Sequence, residues 1–278
     1  MQEEEYKTSG FRYIPEEQIC SLEEMIYRVS APLLTRAAES GLRVQAIVFA
    51  SVTNPIEQAR NLFMRLLHEF SLEEVPVLKL EEYGCATFHL YVYLSKGFLT
   101  GVASEDEAIL FVTADKARNG AERSDTFMIF GDAASAALCK SNAKHGHQVL
   151  ASGLKADGIA YDSTPERIKM YFSTFYLSVR QVVNQVLRES GTTMHQISLI
   201  LCTNLGLDTW SILAKALGCS MELFYTDTLG KMGHLHNTDI LLNIEEAVSS
   251  GRLRKGDLYL AITVGFGGYY GCSLHQYE

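Results

Sequence analysis

Cys85 lies in Leu80-Glu81-Glu82-Tyr83-Gly84-Cys85-Ala86-Thr87-Phe88, where an apolar strand-like run ends and a helical run begins. A thiol at such a junction sits near the unpaired N–H groups and positive dipole end of the helix. Both favour the thiolate, and so a nucleophile. His89, four residues on, reads as a satisfied core or pocket-wall histidine. The other cysteines are scattered at 20, 139, 202, 219 and 272, without a Cys-x-x-Cys pair or close His/Cys spacing. That pattern predicts neither a zinc site nor a disulfide framework. Cys139, Cys202, Cys219 and Cys272 read as packing residues. Gly265-Phe266-Gly267-Gly268 is not a phosphate loop, because no Lys-Ser/Thr follows it and it joins two strand-like runs.

The elements that must position Cys85 are legible from periodicity. Residues 23–40 carry a helical stripe closed by Gly41, and Val44–Ala50 is a short apolar run expected as a buried strand. Residues 56–69 read as an amphipathic helix, 75–80 as a strand and 86–102 as the helix after Cys85. Strands are predicted at 108–114 and 126–139, the second broken at Gly131-Asp132 by a tight turn. Gly10–Pro15 is a further strand candidate. The pattern then repeats: a long helix at 166–190, a strand at 197–202, a helix at 207–217 ended by Gly218, and a short strand at 223–225. A helix over 239–250 and strands at 258–264 and 269–275 complete it. Each half reads helix–strand–helix–strand–helix–strand–strand, a duplicated α/β architecture. The expected halves are residues 1–145 and 146–278, joined by a linker loop around 141–164.

Bulk properties narrow the classes. The chain has 278 residues, 47% hydrophobic and 21% charged, a globular composition. A net charge of −9 argues against a sequence-independent nucleic-acid binder, which needs a basic footprint. An acidic carrier protein would need a local patch such as Arg252-Leu253-Arg254-Lys255. Met1-Gln2-Glu3-Glu4-Glu5 lacks the basic-then-apolar order of a signal peptide, and no apolar run approaches the roughly 20 residues of a membrane span. A cytoplasmic protein is the expectation.

Four segments in order resemble the thiolase superfamily, in its β-ketoacyl-acyl-carrier-protein synthase III branch. Cys85-Ala86-Thr87-Phe88 is similar to that family's nucleophile segment, Cys-Ser-Gly-Phe. Phe130-Gly131-Asp132-Ala133-Ala134-Ser135-Ala136-Ala137 resembles its Phe-Gly-Asp-Gly-Ala-Gly-Ala turn. Ala214-Lys215-Ala216-Leu217-Gly218 resembles the end of the helix after its catalytic histidine. Glu246-Ala247-Val248, Gly251-Arg252-Leu253, Gly256-Asp257-Leu258 and the Gly265–Gly271 turn resemble its C-terminal signature. The resemblance implies a thiolase-like duplicated αβαβαββ fold, a five-layer α-β-α-β-α sandwich, here with a shortened cap. It also implies a dimer, either with a second copy or with a ketosynthase-like subunit.

Two departures shape the chemistry that the resemblance implies. The family's His-Gln-Ala-Asn is replaced by Cys202-Thr203-Asn204-Leu205, so Thr203 stands where the catalytic histidine would be. The family's Gly-Asn-Thr asparagine is replaced by His234, in Gly233-His234-Leu235-His236-Asn237-Thr238-Asp239. Decarboxylative condensation needs two neutral hydrogen-bonding groups for the enolate, a task for which a threonine is a poor substitute. Acyl transfer needs only the acyl-cysteine, an oxyanion hole and one general base. Cys85, His234 and Asp239 are therefore expected as nucleophile, base and orienter, with Asp239 as a helix cap the competing reading. The backbone N–H groups of Cys85 and Gly267 are the expected oxyanion donors. Thr203, His236 and Tyr269 are assigned to the acceptor or acyl pocket, His236 being a loop residue and alternative base. The function implied is acyl transfer from an acyl-carrier-protein or coenzyme A thioester in a specialised biosynthetic pathway. A divergent condensing enzyme and a non-catalytic partner subunit are the rivals. No metal or organic cofactor is expected, since acyl chemistry on a thiol requires none.

Overall fold

The computed structural model describes residues 9–53, 58–101, 106–124, 128–141, 143–160 and 164–278. Two four-stranded sheets are its framework. In chain order the first half comprises α1 (Leu22–Glu39), β1 (Arg43–Ala50), α2 (Met64–Glu69), β2 (Val77–Leu80), α3 (Thr87–Gly101), β3 (Glu107–Asp115) and β4 (Ala133–Lys140). The second comprises β5 (His147–Ala156), α4 (Pro165–Ser190), β6 (Leu199–Cys202), α5 (Leu207–Leu217), α6 (Leu229–Met232), α7 (Thr238–Ser249), β7 (Leu258–Gly265) and β8 (Tyr269–Tyr277).

The first sheet runs β2-β1-β3-β4 and the second β5-β8-β7-β6. β1 is parallel to β3, which is antiparallel to β4; β6, β7 and β8 repeat this arrangement. Alternation along the strands divides the buried side chains among three cores, because successive residues face opposite sides of a sheet. Ile47, Phe49, Leu110 and Val112 meet α1 and α2 on one outer face. Val48, Ala50, Ile109 and Phe111 face inward, as do Leu199, Leu201, Tyr259 and Ala261 from the other sheet. Between them lie Phe88, Tyr91 and Val92 of α3 and Ile240, Ile244 and Ala247 of α7. Ile200, Leu260, Ile262 and Leu274 meet Val179, Val182, Val183 and Val186 of α4 on the far side. The result is the expected α-β-α-β-α sandwich. α3 and α7, as the middle layer, carry the Cys85 turn and Asp239 toward each other.

Four expectations need correction. The stretch taken as a linker contains β5, which pairs antiparallel with all of β8. Its Val149 and Leu150 are exposed, so it lacks the apolar density that marks the central strands. Gly10–Pro15 forms no strand; Phe11 and Ile14 instead pack with Ile129 and Leu229. Residues 223–225 shrink to a single parallel bridge between Phe224 and Ile200 after a short 3-10 turn. The 56–69 helix begins as a 3-10 turn at Ala59–Phe63, and the first residues of that prediction, like 126–127 of the strand prediction, lie outside the described residues.

Candidate active site

β2 ends at Leu80, and the chain turns through Gly84, at φ +50°, into a 3-10 turn, Gly84–Ala86, that continues as α3. Cys85 sits in this turn. Its geometry is pinned twice on Gly84: the Thr87 hydroxyl donates to the Gly84 carbonyl at 2.7 Å, and the Asn237 amide donates to it at 3.0 Å. Asn237 Oδ1 in turn accepts from Phe88 N–H at 3.2 Å. The asparagine thereby ties the start of the nucleophile's helix to the histidine segment. Sequence reasoning missed this role, although Asn237 lies inside the motif that drew attention.

The histidine segment is a loop between α6 and α7, held by backbone pairing across the halves. His234 N–H donates to the Ile129 carbonyl at 2.9 Å, and Gly131 N–H donates to the His234 carbonyl at 3.1 Å. This places His234 Nε2 3.2 Å from Cys85 Sγ, while its Nδ1 lies 2.5 Å from Asp239 Oδ2. Both His234 and Asp239 are fully buried. Asp239 also accepts from Asn204 N–H at 2.7 Å and Leu235 N–H at 2.8 Å. It therefore orients the imidazole; the cap of α7 falls on Asn237, whose side chain makes no capping bond. Asn204 anchors the other side by donating to the Gly233 carbonyl at 2.8 Å.

Electrostatics follow from burial and these contacts. Burial alone pushes the Cys85 thiol up, but the adjacent His234 and His236 outweigh it and pull the thiol down to about 7. For His234, burial disfavours the charged ring, yet Asp239 and Cys85 together hold its pKa well above the usual imidazole range. The set stores one mobile proton between sulfur and ring.

His236 is more than a loop residue. It is buried, adopts φ +54°, stacks on Phe130 at 4.8 Å and brings Nδ1 to 3.5 Å from Cys85 Sγ. Burial lowers its basicity, but the charge of Asp115 and the neighbouring Cys85 raise it overall. Its Nε2 has no partner among the described residues. The donor atoms of Cys85, His234 and His236 all lie within 4.8 Å of one another, although 149 and 151 residues separate the thiol from the rings. Sequence spacing could not reveal this cluster.

A cavity of about 250 Å³ opens onto these residues, its apolar wall built from Phe130, Tyr171, Phe172, Phe175, Val264 and Phe266. Thr203 and Tyr269 are not among its lining residues. The Thr203 hydroxyl points into β7, donating to the Ile262 carbonyl at 3.5 Å and accepting from Val264 N–H at 3.3 Å. Tyr269 packs on Tyr83 instead, with ring centroids 4.7 Å apart. In the glycine turn Phe266 reaches the cavity. Gly267 takes φ +93°, and Gly265 lies so close to the Tyr83 carbonyl that a Cβ there would overlap it. Asp132 is structural: Arg123 grips it with two bonds, and it caps Glu17 and Ala117 N–H groups. His89 is a buried core residue between Thr263 and Ser273.

Comparison with known proteins now bears on the same segments. The family described as 3-oxoacyl-[acyl-carrier-protein] synthase III matches residues 82–158, and its C-terminal counterpart matches 187–277. Together these span more than half of the chain and include Cys85, His234 and Asp239. The chain belongs to the ketosynthase III-like branch of the thiolase superfamily. The β-ketoacyl-acyl-carrier-protein synthase III of Aquifex aeolicus is 23% identical over 204 residues, covering 70% of this chain and 65% of that protein. That of Xanthomonas campestris is 26% identical over 231 residues, covering 72% and 69%. The match thus spans just under two thirds of the Aquifex relative. Its solved structure superposes with a TM-score of 0.80 at 19% identity, covering 98% of this chain and 90% of that one. The acyltransferase ChlB3 superposes with a TM-score of 0.85 at 17% identity, covering 99% and 90%. These likenesses establish the ketosynthase III-like fold.

Proposed function

We propose that the protein is an acyltransferase that carries an acyl group on Cys85 and passes it to an acceptor hydroxyl, amine or thiol. The observation that carries this reading is the continuous Cys85–His234–Asp239 contact beside an apolar cavity. The Cys85 thiolate attacks the carbonyl of an acyl-carrier-protein or coenzyme A thioester. The leaving thiolate takes the proton from the His234 imidazolium. An acceptor then gives its proton to His234 Nε2 as it attacks the acyl-cysteine, and Cys85 leaves as thiolate. Asp239 keeps the ring in the tautomer that aims Nε2 at the sulfur. The N–H groups of Cys85 and Gly267 serve as oxyanion donors. A carrier protein would dock on the Arg252–Lys255 patch. A second subunit would cover the exposed Leu78 of β2 and Tyr93, Leu94 and Phe98 of α3.

Intact-mass measurement after mixing with acyl thioesters tests the reading. Wild type should gain one acyl group that Cys85→Ala lacks, and absence of that adduct would sink it. His234→Ala should stall the adduct, or fail to form it at neutral pH. A second reading, carbon–carbon condensation, is favoured by one observation: His236 adds a second imidazole at the nucleophile. Malonyl thioester added to the acylated enzyme distinguishes the two, since only condensation releases carbon dioxide with the product.

A further inference from the structure

The cluster of Cys85, His234 and His236 has a geometry that acyl transfer does not require. With a Zn–S bond near 2.3 Å and Zn–N bonds of about 2.0–2.1 Å, a tetrahedral zinc site sets its sulfur and nitrogen donors roughly 3.5 Å apart. Here Cys85 Sγ lies 3.2 Å from His234 Nε2 and 3.5 Å from His236 Nδ1. One ligand atom from each of the three residues lies within 4.8 Å of the others, so the rings draw in toward a common ion as it binds. We propose that Zn2+ binds Cys85 Sγ, His234 Nε2 and His236 Nδ1, with the fourth position open to the cavity, and thereby silences the nucleophile reversibly.

The donor types select the metal. One thiolate and two imidazoles suit zinc, whereas magnesium and calcium require oxygen donors. At His234 the outer hydrogen bond is already in place. Asp239 accepts from His234 Nδ1, the carboxylate–histidine arrangement that fixes the tautomer with Nε2 free for a metal. Phe130 holds the His236 ring by stacking. Metal on Nδ1 of His236 puts its proton on Nε2, the atom that has no partner among the described residues. The proton shared by Cys85 and His234 leaves to solvent as Zn2+ enters, and any proton on His236 Nδ1 leaves with it or moves to Nε2, so protons balance without any oxidant. Three ligands and an open fourth position are the pattern of an exchangeable site, not a closed structural one. An acylated Cys85 has no free thiolate, so zinc and acyl donor compete for one atom.

Tag-free, metal-stripped protein is titrated with Zn2+ by calorimetry, and with Co2+ to record the thiolate-to-cobalt absorption band. One ion per chain is expected. Binding should weaken by at least about tenfold in His236→Gln and by more in Cys85→Ser, the range that loss of ligand support produces. Circular dichroism checks that the variants fold. On wild type alone, equimolar Zn2+ should slow iodoacetamide labelling of Cys85, mapped by peptide mass, by tenfold or more. Chelator should restore the rate, and labelling of Cys219 should not change. Unaltered Cys85 labelling, no cobalt thiolate band, or equal binding by Cys85→Ser would each overturn the proposal. Zinc binding by a protein that never forms an acyl adduct would sink only the acyltransferase reading.

Discussion

Replacing Asp239 by asparagine separates its charge from its volume, and the structure sets the size of both effects. Oδ2 accepts from His234 Nδ1 and Asn204 N–H, and Oδ1 accepts from Leu235 N–H. A carboxamide has a single oxygen. If that oxygen keeps His234 and Asn204, the NH2 group faces Leu235 N–H; flipped, it faces the other two donors. At least one buried N–H therefore loses its partner, a cost of about 1–3 kcal/mol. For a chain of this size each kcal/mol lowers Tm by roughly 2–4 °C. The chemical loss is separate. Without the carboxylate, His234 loses the attraction that raises its pKa, and the Cys85 thiol loses part of the imidazolium that pulls it down to about 7. Labelling of Cys85 should then need a higher pH, and transfer from acyl-Cys85 should slow by about 10²–10⁴, the usual worth of a positioned general base. Asp239 acts through His234, so Asp239→Asn/His234→Ala should be little slower than His234→Ala. Rapid-quench intact mass gives acylation and transfer rates, and thermal melts give stability. Turnover within threefold of wild type, in a variant whose melt shows the expected loss, would refute the orienting role.

Three further outcomes follow from other parts of the fold. Gly265→Ala puts a Cβ onto the Tyr83 carbonyl two residues before Cys85, so acylation should fall at least about tenfold with a stability loss of about 1–3 kcal/mol; an unchanged acylation rate would refute the claim that this contact sets the nucleophile's turn. Thr203→Val keeps the shape but removes the hydroxyl bonded to Ile262 and Val264, costing about 1–2 kcal/mol by urea unfolding and leaving acylation unchanged; a large rate loss would return Thr203 to the site. Burial lowers His89 and His275 to about 3, so both stay neutral in the fold while the unfolded chain takes up protons below about 6.5. Their stabilisation is complete above that pH and is lost as pH falls. Between pH 6.5 and 5 the pair should lose about 3 kcal/mol by linkage, read as a lower urea midpoint; a flat profile would contradict it.

What the sequence made legible follows local physics. The Cys85 junction, the long helix ending at Gly191 and the two Gly-flanked C-terminal strands each carry a periodic or turn signal within a dozen residues. The elements it missed lack such a signal. β5 is half-exposed, and its pairing with β8 is fixed by residues more than 110 positions away, as His147 opposite Tyr277 illustrates. The site divides the same way. His234 and Asp239 are five residues apart and could be read together. Asn237 holding the Gly84 carbonyl and His236 facing Cys85 are products of the central layer closing. Tyr269 shows the converse: its position beside the glycine turn suggested a pocket wall, but Tyr83 takes up its ring.

The position of the missing family histidine bears directly on which carbon or heteroatom receives the acyl group. Thr203, at the place the resemblance assigns to that histidine, spends its hydroxyl on the β7 backbone and is not among the residues lining the cavity. His236 restores an imidazole at the sulfur, but not an equivalent one. Asp115 and Cys85 raise its pKa while the neighbouring His234 opposes them, whereas Asp239 and Cys85 hold that of His234 well above the usual imidazole range. Decarboxylation gains only from interactions stronger with the developing enolate than with the malonyl carboxylate. A cationic His234 ring attracts the carboxylate at least as strongly, and the differential term shrinks. Carbon dioxide release from malonyl thioester on acylated enzyme should therefore be at least about a hundredfold slower than transfer to a hydroxyl or amine acceptor, a gap of about 2.7 kcal/mol in barrier. Radiolabelled malonyl thioester measures the first rate and intact mass the second. Comparable rates would mean that one imidazole works in its neutral form, and would make carbon–carbon condensation the chemistry of the site.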